Sequence, residues 1–171
     1  MRLVATTRIG RPRDVEKALR RKVPGAVLER DFRLTPRGRL RGRLIVFESA
    51  KALRAWWGPI FGKIPMAAGA VNACSTKHEK ITADGSVEWA FTSAHPRYFC
   101  VIGLCLGYLD MEVVAHEAAH VGFCYARRVK KDPFLETFES PEEVVCYAAG
   151  RAARAINATL HEAGLYEGQV K

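Results

Sequence analysis

Short apolar runs with period-two alternation fill the first two thirds of the chain, and two long stretches of helical period fill the last third. MRLVAT reads as a strand. From Arg13 to Val23 the apolar positions Val15, Ala18, Leu19 and Val23 recur at helical spacing, and Pro24-Gly25 ends that helix. Ala26 to Leu34 is extended, Thr35-Pro36-Arg37-Gly38 forms a turn, and RLRGRLIVFE returns as a second strand, so the two make a hairpin. Ser49 caps a short helix, AKALRAWW, with Leu53, Trp56 and Trp57 on its inner side and Gly58-Pro59 as its stop.

From Ala67 to Leu109 the pattern predicts β structure: GAVNACST, an Asp84-Gly85 turn, SVEWAFTS, then RYFCVIGLCLGYL. The last run is nearly all apolar, as a central strand covered on both faces requires. There the period changes. Asp110 is placed to cap a helix from Met111 to Arg128, whose last turn and the residues after it are cationic, and Pro133 breaks the pattern. Ser140-Pro141-Glu142-Glu143 has Ser at the N-cap, Pro at N1 and Glu at N3, which opens a second long helix from Pro141 to about Ala163.

These elements predict an α+β fold: a small mixed or antiparallel sheet, a helix at 111–128 and a second long C-terminal helix. The 171 residues lack a Pro/Gly/Ser-rich linker or repeat and are read as one domain. Its longest apolar run, Cys100 to Leu109, is far short of the roughly 20 residues that span a bilayer. The N-terminus carries no signal-like apolar core. Five cysteines without a C-x-x-C pair argue for reduced thiols over a disulfide framework, so a soluble cytoplasmic protein without membrane contact is expected.

Charge alters this picture in one respect. The net charge is +9, but residues 1–63 hold 17 basic and 5 acidic side chains, and the remainder is slightly acidic. On the second strand Arg37, Arg39, Arg41 and Arg43 fall at period two and share one face. Such a comb could track nucleic-acid phosphates or form a solvated face.

The chemistry concentrates in AHEAAH, residues 115–120. On a helix, residues four apart share a face, so His116 and His120 can aim their ring nitrogens at one point. Glu117 stands one residue on, within reach of a water on an ion held there. That spacing suits zinc hydrolysis: two neutral imidazoles anchor Zn2+ and a carboxylate takes the proton of its water. A third ligand is still required, and Glu142 and Glu143 are the downstream candidates. Helical periodicity puts Glu142 on the apolar face and Glu143 on the side of Tyr147, Arg154 and His161.

Over residues 98–163 the chain resembles gluzincins, zinc peptidases in which H-E-x-x-H is completed by a glutamate on a later helix; in overall build it looks closest to small bacterial or phage minimal zincins. The resemblance implies a zincin-like domain, one zinc per chain, and peptide-bond hydrolysis with Glu117 as general base. It favours Glu143 over Glu142, because Glu143-Val-Val-Cys146 matches the family's glutamate with a small residue three positions on. Tyr147, one turn after Glu143, becomes the first candidate to stabilise the oxyanion, ahead of His161, Tyr125 and His95. The substrate would be a protein or peptide, added as a strand beside GAVNACST or SVEWAFTS. The rival expectation is a nucleic-acid-binding or interaction protein that uses the basic third, with a structural or inactive zinc site.

Overall fold

The computed structural model describes residues 17–34, 40–61, 64, 69–72, 75–81, 87–93, 98–130 and 141–165. MRLVAT, the start of the Arg13–Val23 helix, both predicted turns and Pro133 lie outside them. The strands are β1 (Ala26–Phe32), β2 (Arg41–Phe47), β3 (Gly69–Asn72), β4 (Ser75–Ile81), β5 (Val87–Ser93) and β6 (Tyr98–Cys105). The helices are α1 (Ala50–Phe61), α2 (Met111–Lys130) and α3 (Pro141–Glu162), with a 3-10 turn at Leu106–Tyr108.

β6 is uncharged and buried along its whole length, so its backbone groups must pair on both sides. They do: β2 runs parallel to it and β3 antiparallel, and β1 completes a mixed sheet of order β1-β2-β6-β3. The expected β1–β2 hairpin is present. GAVNACST divides in two: GAVN is an edge strand of this sheet, while β4, beginning at Ser75, pairs only with β5 in a separate two-stranded sheet.

Alternation along β2 and β6 sends side chains to both faces, and each face carries a helical layer. On one, Leu44, Val46, Ile102 and Leu104 pack with Val114, Ala118 and Val121 of α2 and with Ala148, Ala152, Ile156 and Leu160 of α3. On the other, Ile45, Phe47, Val101 and Cys105 meet Leu53, Trp57 and Phe61 of α1, together with Leu19 and Val23. α1 does not stop at Gly58-Pro59 but runs on to Phe61 with Pro59 inside it. An internal proline costs about 3 kcal/mol. The aromatic packing of Phe61 against Trp57 and Trp56, with ring centroids 4.6 and 5.9 Å apart, offsets it.

α2 and α3 approach closely because Gly122 lies between them: a Cβ there would stand 2.6 Å from the Val145 carbonyl oxygen and 3.1 Å from Ala149 Cβ. The buried row of α3 is Ala148, Ala152, Ile156 and Leu160, and Cys146 is exposed. The helix is rotated to set its small residues against α2.

Ile102 is fully buried in the middle of β6. Truncation leaves a cavity that a sheet held on both faces cannot close, so Ile102→Ala should lower stability by about 2–5 kcal/mol. A denaturant titration checks this: the midpoint falls while the m value stays unchanged.

Candidate metal centre

α2 begins as its sequence dictates. Asp110 Oδ1 accepts a hydrogen bond from the Val113 amide at 2.7 Å, an N-cap that fixes the register of the turns after it. Val114, Ala118 and Val121 then face the sheet, which leaves His116 and His120 on the outer side, both exposed. Their Nε2 atoms converge to 3.2 Å and their rings stand edge to face with centroids 4.9 Å apart. Two zinc–nitrogen bonds of about 2.0–2.1 Å at a tetrahedral angle require nitrogens about 3.3–3.4 Å apart. The pair therefore fits as two ligands of one zinc ion.

Glu117, next to them around the helix, is turned into the protein. It is only 5% exposed, and Oε2 is buried without a hydrogen-bond partner. Burial pushes its pKa up, and the nearby His116 pulls it partly back. The other oxygen rests against β3: a Cβ at Gly69 would lie 2.7 Å from Glu117 Oε1. Nothing in the H-E-x-x-H spacing reveals this seat; the available signal was a glycine inside a strand pattern, which marks close approach of another group.

Glu143 does not complete a ligand group with the pair. Among the described residues no group of three His, Cys, Asp or Glu forms. Glu143 is exposed on the first turn of α3, on the same side as exposed Tyr147, Arg154 and His161, as periodicity predicted. Glu142's side chain lies outside the described residues. The helix contact explains the separation: α3 packs on Gly122, which at 100° per residue is about 200° around α2 from His120. Tyr147 is 66% exposed. Tyr125 is half-buried against Phe99 with ring centroids 5.6 Å apart, which makes it a core residue. His95 lies outside the described residues.

The arginine comb changes character. Arg37 and Arg39 lie outside the described residues. Arg43 is held by the Glu29 carboxylate, by Asp31 at 3.2 Å and by the Tyr98 hydroxyl at 3.1 Å, and Arg41 lies 3.8 Å from Asp31. Tyr98 in turn donates to Asp31 at 2.8 Å. Burial alone would loosen the Arg43 proton, but the hydrogen bonds to Glu29 and Tyr98 and the charge of Asp31 more than compensate and raise its pKa. This is a cross-strand tie between β1, β2 and β6 rather than a row of waiting cations. Arg43→Ala strands two acidic partners and should cost about 1.5–3 kcal/mol in a chemical-denaturation curve. It should also leave the salt dependence of any nucleic-acid binding unchanged, where loss of a phosphate contact would reduce that slope by about 1.

Cys100, Cys105 and Cys124 are buried, and burial pushes the Cys105 thiol up despite Arg54 nearby. No helix among the described residues is long and apolar enough to cross a membrane. No family model, curated protein or solved structure matches the chain.

Proposed function

We propose that the chain is a zinc-dependent metallopeptidase of gluzincin type, and the observation that carries the reading is the 3.2 Å convergence of two imidazole nitrogens beside a buried, unpartnered carboxylate. His116 and His120 hold the metal, and their exposure leaves room for a substrate. Zinc bound there would lower the pKa of a coordinated water towards about 7 and polarise a carbonyl. Glu117 takes up a proton at its carboxylate, a step eased by the burial that raises its pKa, and returns it to the leaving amine. Completing the ligand set falls to the first turn of α3, with Glu143 ahead of Glu142. Tyr147, exposed at its second turn, remains the candidate donor to the oxyanion.

β3 supports the peptide part of the reading. It is the edge of the main sheet on the side of Glu117, so an extended peptide paired with it would pass beside that carboxylate. Of the two runs suggested by sequence, GAVN is thus favoured over SVEWAFTS. Five cysteines without a C-x-x-C pair fit a reducing compartment, and we place the activity in the cytoplasm.

A second reading has its own observation: Arg21, Lys22, Arg30 and Arg33 are exposed in the basic third. Nucleic acid is proposed as a partner there, not along the comb. Purified protein should hold about one zinc per chain and cleave an unfolded protein substrate, with both lost on chelation. A metal-free preparation that still binds DNA or RNA with a steep salt dependence would overturn the peptidase in favour of this second reading.

A further inference from the structure

Gly69 has no need of its freedom for the backbone, because its φ lies outside the left-handed region. It needs space. A Cβ at this position would meet Glu117 Oε1 at 2.7 Å, Cγ at 2.8 Å and Cδ at 3.0 Å, three atoms along one flank of the same side chain. Contacts that short do not occur, so either the strand or the carboxylate would have to move. The strand is held by its pairing with β6, where Gly69 stands opposite Leu104. Glu117 is buried, and its second oxygen already lacks a partner.

We infer that Gly69 is a positioning residue: the bare flank of β3 is the wall that sets where the Glu117 carboxylate stops relative to His116 and His120. The inference rests on the zinc-peptidase reading. An alanine at this position pushes the carboxylate away from the strand and leaves the histidines, on the outer side of α2, where they are. A displacement of about 1 Å in an acid–base group can cost up to about a hundredfold in rate. Gly69 therefore governs turnover without holding metal or substrate side chains.

The test uses the full zinc-loaded chain and the variants Gly69→Ala, Glu117→Ala and their combination, with Gly107→Ala as a control, since a Cβ at Gly107 meets nothing within 4 Å. In Gly69→Ala, kcat on a peptide substrate should fall about tenfold or more while KM and zinc per chain hold steady. Melting of the metal-free proteins reads the contact independently of activity: Gly69→Ala should lower Tm in the wild-type background and leave it unchanged once Glu117 is alanine. Unchanged kcat, a loss of zinc together with kcat, or an equal Tm loss in both backgrounds each overturn the proposal while the peptidase reading stands. An inactive wild type overturns that reading and this role together, and the Tm cycle then reports the contact alone.

Discussion

Glu117→Gln should bind zinc as fully as the wild type and hydrolyse nothing measurable. The side chain sits off the histidine pair, with its carboxylate against β3, so the substitution removes no ligand. It removes the proton acceptor, and a positioned general base contributes about 10²–10⁴-fold. Metal analysis and a peptide assay on one preparation separate the two effects; zinc lost along with activity would make Glu117 a ligand. Stability should move the other way. A carboxyl whose folded pKa is raised binds its proton more tightly in the folded state, so its favourable contribution is complete below the unfolded value of about 4.3 and disappears as pH rises through the folded value. Metal-free Glu117→Gln should therefore melt above the wild type at neutral pH, and the difference should vanish in acid. Catalytic side chains commonly carry such a cost in stability.

His116→Ala and His120→Ala should each weaken zinc binding by about two orders of magnitude or more, since one imidazole cannot anchor the ion. Both rings are exposed and outside either core, so the metal-free variants should unfold within about 0.5 kcal/mol of the metal-free wild type. Added zinc should raise the Tm of the wild type, by mass action on the folded state, and leave both variants where they are. A zinc-dependent rise in either variant would place the metal elsewhere. The same thermal-shift measurement ranks Glu143→Ala against Glu142→Ala as third-ligand losses.

Much of this architecture is legible in the sequence because local signals and tertiary demands agree. CVIGLC is apolar at every position and becomes the strand covered on both faces. Asp110 caps one helix and Pro141 begins the other where the sequence places them. The failures share a cause: in each, packing overrides the local signal. Pro59 is a breaker until Phe61 finds Trp57. Arg41 and Arg43 look available until β1 is laid beside them, although Glu29 and Asp31 also alternate and so face the same way. At the candidate site the two histidines and their convergence follow from helical spacing, whereas the seat of Glu117 depends on an edge strand more than forty positions away. The periodicity of α3 correctly leaves Glu143 on the exposed side, and that same exposure is why a third ligand could not be read from it.

The parallel pairing of β2 with β6 has a kinetic consequence. Its strands end at Phe47 and begin again at Tyr98, so the centre of the sheet closes only after a long intervening stretch has been gathered in. The β1–β2 hairpin and the α2–α3 pair are each made of neighbours in sequence and can form earlier. The seam between these two halves is then the late event of folding. Ile102→Ala, which weakens that seam, should speed unfolding more than it slows refolding in a chevron plot. The same order leaves α2 and α3 paired before the strand that seats Glu117 has arrived beside them.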